Sequence, residues 1–169
     1  MNTAMKAVPV ESVTGSDELR DHYLEALTLI ERLHRRLLDV IKDEFDRIGR
    51  PEVNSVQALL LFNIGDAELT AGELRTRGHY LGSNVSYNLK KLVDAGYIHH
   101  ERCNTDRRSV RVKLTEKGQE VRTRVDQLYR KHISSLEPVG GVGVSDLQTL
   151  NKALSRLERF WTDHIRYRL

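Results

Sequence analysis

"GSNVSYNLKKLVDAGYIHHERCNTDRRSVRVKLTEKG", residues 82–118, changes its periodicity twice. Val85, Leu89 and Leu92 recur at helical spacing until Gly96 ends the run. After Gly96, "YIHHERC" and "SVRVKLT" alternate as strands around the polar tip "NTDRR", the pattern of a hairpin. Thr115 then opens a new helix. Residues 101–118 also carry six basic side chains, so the hairpin has a chemical character as well as a shape.

The charge is local. The whole chain of 169 residues has a net charge of only +3. Residues 75–113 hold nine lysines and arginines (Arg75, Arg77, Lys90, Lys91, Arg102, Arg107, Arg108, Arg111, Lys113) against Asp94, Glu101 and Asp106. A basic centre between neutral-to-acidic flanks is the footprint of a polyanion site, and a solvated basic surface is the alternative reading.

Upstream, Leu19, Tyr23, Leu27, Ile30, Leu37, Ile41, Phe45 and Ile48 recur in steps of three and four. They predict one long amphipathic helix capped by Ser16 and stopped by "GRP" at 49–51. Such a helix exceeds what a domain of this size needs to cover its own core, so part of its stripe is expected to meet another chain. "NSVQALLLFNIG" (54–65) reads as a helix capped by Asn54 and closed by Gly65. "TAGELRTRG" (70–78) opens with the capping box Thr70-x-x-Glu73. Beyond Thr115, Val121, Val125, Leu128 and Leu136 share a helical face, "EPVGGVGV" (137–144) is expected to break it, and Ser145-x-x-Gln148 to cap a last helix. That last helix carries Leu147, Leu150, Leu154, Leu157, Trp161 and Ile165.

Three short helices followed by a hairpin make a winged helix-turn-helix. The expected fold is mostly α with a small β-hairpin wing, flanked by N- and C-terminal dimerisation helices. The boundaries read as a disordered arm at 1–15, a dimerisation helix at 16–49, the winged helix-turn-helix at 50–115 and C-terminal dimerisation helices at 116–169. In this architecture the third helix enters the major groove of double-stranded DNA. The wing follows phosphates and the narrow minor groove, where the potential is most negative, and that is a reason for cations at its tip.

The run from "TAGELRTR" through "SNVSYNLKKLVDAGYI" to "DRR" and "LTEKG" resembles the multiple-antibiotic-resistance regulator (MarR) family over about residues 17–167. The most specific match is Asp106-Arg107-Arg108 followed by Leu114-Thr115-x-x-Gly118; Val85-Ser86 and Gly96 match as well. Tyr87 stands where the family often has arginine or threonine. The resemblance implies a homodimer on a pseudo-palindromic operator, often a repressor released by a small aromatic or anionic effector. It makes Arg108 the arginine entering the minor groove and Asp106 the carboxylate that orients it. Ser83, Asn84, Ser86, Tyr87 and Asn88 become base-edge or phosphate candidates, and Lys90, Lys91, Arg102, Arg107 and Arg111 phosphate neighbours. A polar solvent face and a turn ion pair are the plainer readings of the same residues.

Other residues carry less. His99 and His100 point to opposite faces of a strand and cannot jointly hold a metal, and no cluster has ligand spacing, so neither metal nor cofactor is expected. Cys103 lies beside Arg102, a setting for a redox thiol, but reads more simply as an exposed cysteine. His34 and His132 fall on apolar stripes, where they are either hydrogen-bonded core residues or lining for an effector pocket. There is no nucleophile elbow, phosphate loop or paired carboxylate set, so no enzyme is expected. With no signal-peptide run and one cysteine, the chain reads as cytoplasmic and without a membrane partner. The rival functional reading is a winged-helix module for protein–protein contact.

Overall fold

A computed structural model describes residues 11–50, 52–66, 69–70, 73, 82–102 and 110–167, apart from the side chains of 11–14, 82–85, 102 and 110. The chain divides into two compact units, Met1–Leu60 and Leu61–Leu169.

In the first unit, α1 (Glu11–Arg47) is 37 residues long, about 55 Å at 1.5 Å per residue. It begins five residues before the expected Ser16 cap, so 11–15 are helical, whereas the remainder of the expected disordered arm, 1–10, lies outside the described residues. Gly15 costs a helix only about 1 kcal/mol, too little to stop one of this length. The stripe is buried at Ile41 and Phe45, half-buried at Leu27, Ile30 and Leu37, and exposed at Tyr23 and Leu19, the latter 72%. On the wet side Lys42 bonds Asp46 at 2.9 Å and Arg47 bonds Glu44 at 2.6 Å, and these hydrogen bonds raise both cations' pKa. Exposed pairs of this kind add little stability.

Helix α2 (Ser55–Ile64) follows, and the Asn54 Oδ1 accepts from the Gln57 N–H at 2.9 Å while the Gln57 Oε1 accepts from the Asn54 N–H at 3.2 Å. This reciprocal cap satisfies two otherwise orphaned donors. Ala58, Leu60, Leu61 and Ile64 are all buried.

The second unit begins at Leu61, within α2, and contains β1 (Leu69–Thr70), α3 (Gly82–Asp94), β2 (Ile98–Arg102), β3 (Val110–Leu114), α4 (Glu116–Gly140) and α5 (Val144–Tyr167). Of the expected 70–78 helix only Thr70 and Glu73 are described, and they form its capping box: the Thr70 Oγ1 accepts from the Glu73 N–H at 3.1 Å, and the Glu73 carboxylate accepts from the Thr70 N–H at 2.7 Å. The hairpin gains a third strand the sequence did not announce, giving an antiparallel sheet in the order β1-β3-β2. Two residues are too few to show a period. Ile98 faces Leu114 and His100 faces Val112 across β2 and β3, while Leu69 faces Val112 from β1. Strand alternation thus sends Ile98, Val112, Leu114 and Leu69 into the core with Leu89, Leu92 and Tyr97. His99, Glu101, Arg111 and Lys113 take the outer face.

Helix α4 buries Gly118, Val121, Val125 and Leu128. It is tied to the end of α2 by Arg122, which bonds Asp66 at 2.5 Å, and by the Tyr129 ring, edge-on to Phe62 at 5.0 Å. The expected break at 137 falls later, because α4 runs through Pro138 to Gly140. A proline in the last turn forfeits one N–H, and the Gly141 and Val142 N–H groups still close the helix on the Glu137 and Leu136 carbonyls. The cap of α5 lies two residues ahead of the expected Ser145: the Asp146 carboxylate accepts from the Gly143 N–H at 2.9 Å. Among the described residues no helix is long and apolar enough to cross a membrane.

Candidate nucleic-acid interface

Helix α3 has two sharply different sides. Leu89 and Leu92 are buried, whereas Ser86, Tyr87, Lys90, Lys91 and Asp94 are exposed. At about 100° per residue Tyr87 lies roughly 140–160° around the helix from both leucines, at the centre of the outward ridge. It is 60% exposed, and the Lys91 Nζ sits over its ring, 5.1 Å from the centroid. The ridge is therefore an aromatic plate flanked by two lysines, with Asp94 at its C-terminal end. Asn88 is half-buried on the flank, less open than its expected role suggests. Ser83 and Asn84 lie in the first turn of α3, but their side chains lie outside the description.

A set of bonds fixes the ridge relative to the hairpin. Helix α3 closes with the Gly96 N–H on the Val93 carbonyl and the Tyr97 N–H on the Leu92 carbonyl. That closure requires the left-handed backbone that Gly96 supplies at φ 76°. The Thr115 Oγ1 donates to the Gly96 carbonyl at 2.8 Å and accepts from the Gly118 N–H at 3.1 Å, while the Thr115 N–H donates to the Tyr97 carbonyl at 3.1 Å. Lys117 reaches back to the Ala95 carbonyl at 2.9 Å, its Nζ 4.1 Å from the Tyr97 ring centroid. Gly118 makes the close approach possible, since a Cβ there would collide with the Tyr97 carbonyl oxygen. "LTEKG" thus bolts the end of α3 and the root of the wing to the first turn of α4. Thr115 is legible in the sequence as a cap, whereas the signal for Lys117 is only a cation in the first turn of a helix that starts beside the carbonyl-rich end of another.

On the wing, Arg111 is exposed on the outer face, paired in register with Glu101 on one side and Thr70 on the other. Arg102 ends β2, with its side chain outside the description. Asp106, Arg107 and Arg108, together with Cys103, lie outside the described residues. His34 on α1 and His132 on α4 are both exposed within the chain.

A helix with an open polar-aromatic ridge, braced against a basic hairpin, defines a winged helix-turn-helix of the DNA-binding kind. Residues 52–109 match the MarR family. The chain is 37% identical over 159 residues to the exopolysaccharide II synthesis transcriptional activator ExpG of Rhizobium meliloti (strain 1021), covering 94% of this chain and 81% of that one. It is similar in fold to an Escherichia coli MarR mutant complexed with operator DNA, with TM-score 0.65, 20% identity, and 81% and 96% of the two chains covered. Streptococcus pneumoniae FabT in complex with DNA gives TM-score 0.61 and 20% identity over 83% and 98%. The chain belongs to the MarR family, and it is a DNA-binding transcriptional regulator.

Proposed function

We propose that the chain works as a homodimer that reads a pseudo-palindromic operator, with half-sites about one helical turn apart. The observation that carries the dimer is α5: over 24 residues it has no buried side chain, yet Leu147, Leu150, Leu154, Trp161 and Ile165 form one stripe, with Ile165 79% exposed. The N-terminal end of the α1 stripe is exposed as well, at Leu19 and Tyr23. Apolar stripes of this extent are covered in a working protein, and a second copy covers them by symmetry. The terminal helices are accordingly the dimerisation elements, and residues 50–115 the DNA-reading module.

On the operator, the α3 ridge (Ser86, Tyr87, Asn88, Lys90, Lys91, with Ser83 and Asn84) enters the major groove. Arg108, aimed by Asp106, enters the flanking minor groove, and Arg102, Arg107 and Arg111 follow phosphates. The sign of control carries two readings. Family resemblance favours a repressor released by a small aromatic or anionic effector, with His34 and His132 as candidate ligand contacts. The name of the 37% identical relative favours an activator. Sequences selected from random DNA at two salt concentrations test the operator reading, with enriched inverted repeats and a steep salt dependence expected. A promoter fusion carrying the selected site then gives the sign. Unselective binding that ignores salt would refute the reading in favour of a protein–protein module.

A further inference from the structure

The chemistry at the centre of the α3 ridge is unusual for a base-reading surface. Its most outward side chain is neither an arginine nor an amide but Tyr87, 60% exposed and diametric to the buried Leu89 and Leu92. Lys91 lies over the ring at 5.1 Å, and the residue as a whole stays largely exposed. A cation over the ring restrains an aromatic side chain that has only two rotatable bonds, so the plate meets its target at a small ordering cost. The major-groove edges of the bases offer nitrogen and oxygen acceptors, amino donors and a single apolar group, the C5-methyl of thymine. A fixed carbon surface flanked by Lys90 and Lys91, which suit phosphates on either side, is complementary to that methyl.

We propose that Tyr87 is a specificity-determining residue that selects thymine, through its 5-methyl group, at one position of each operator half-site. The inference rests on the operator-reading role of α3 stated above. It assigns the discrimination to the ring carbons and not to the phenolic hydroxyl. Lys91 acts as a positioning residue that holds the ring.

The test is a uracil scan. Each thymine of the selected operator duplex is replaced in turn by uracil, which removes the methyl and nothing else, and the full-length protein is titrated against every duplex at one salt concentration. One thymine per half-site is expected to lose about fourfold in affinity on replacement, the effect of unburying one methyl-sized group. Tyr87→Ala should bind the operator more weakly and be indifferent to uracil at that position, with its other thymine responses unchanged. Tyr87→Phe should keep the uracil sensitivity and bind within about threefold of the parent, as removal of an outward hydroxyl predicts. Because Tyr87 is exposed, both variants are expected to unfold at the parental urea midpoint. A flat scan on a tightly bound, salt-sensitive operator would overturn the thymine assignment and leave the operator reading intact. So would a Tyr87→Ala protein that still senses the methyl, or a Tyr87→Phe protein as impaired as Tyr87→Ala. Failure to select any operator would overturn both.

Discussion

Replacing Gly118 by alanine sets two effects of opposite sign against each other at one buried position. Gly118 lies in the first turn of α4, where glycine-to-alanine ordinarily favours a helix by about 1 kcal/mol. Here the added Cβ points into the Tyr97 carbonyl and also comes within 3.3 Å of the Leu114 Cβ. Overpacking in a fitted interior costs about 1–3 kcal/mol. Pushing the carbonyl aside also strips the 3.1 Å bond it accepts from the Thr115 N–H, worth about 1 kcal/mol more. The clash wins, by about 2 kcal/mol. In urea, at fixed protein concentration, the midpoint of Gly118→Ala should fall by roughly 1 M with an unchanged slope. Thr115→Ala removes the side-chain part of the same junction and should cost about 1–2 kcal/mol, the range for losing a helix cap. The pair should be non-additive, since both substitutions loosen one contact with residues 96–97. A Gly118→Ala midpoint equal to or above the parent's would mean that the backbones are not in close approach, and the bracing of wing to α4 would fall with it.

Three further outcomes follow from the same geometry. Burial raises the pKa of the Tyr129 phenol above its ordinary 10.0, so the folded state holds that proton more tightly than the unfolded chain. Stability should therefore fall as pH rises beyond 10, and Tyr129→Phe should show a shallower fall in urea midpoints across that window. Asp66→Ala breaks a pair that is 74% exposed on the aspartate side, so denaturation should register less than about 1 kcal/mol; a larger loss would mark the α2–α4 tie as a buried network. Arg108→Ala should weaken binding to every duplex, most where A·T-rich flanks narrow the groove, and lower the salt slope by about one unit per dimer-related contact; titrations in which neither affinity nor slope moved would take the wing off the DNA.

Where a residue signals its role through local chemistry, the sequence was readable. Asn54 and Gln57 cap α2, Gly96 closes α3 and Thr115 caps α4, each by bonds spanning three to five residues. Misreadings came where local preference is weak against its surroundings. Ser16 read as a start and Pro138 as a stop, but Gly15 and Pro138 each cost the helix little at that place: one in the first turns of a 37-residue helix, the other in a last turn whose carbonyls are met by Gly141 and Val142. The third strand was invisible because its two residues acquire strand geometry only by pairing with Val112 and Arg111, more than forty residues away. At the site, the polar and basic character of α3 was legible from composition. The central place of Tyr87 emerged only once Leu89 and Leu92 were seen to face inward. The hold of Lys117 on Ala95 needs the end of one helix to meet the start of another, which periodicity does not encode.

The two-sidedness of α3 has an evolutionary consequence. Leu89 and Leu92 belong to the core, and substitution there is punished by unfolding before any change in DNA preference can be tried. Tyr87, Lys90, Lys91 and Asp94 stand in solvent, where most replacements change stability by no more than about 0.5 kcal/mol. On the operator-reading role proposed for α3, drift at Tyr87, Lys90 and Lys91 can retarget the protein to new promoters while the scaffold stays intact. A lineage carrying this helix can thus rewire its regulon one outward residue at a time, each intermediate still folded and available to selection.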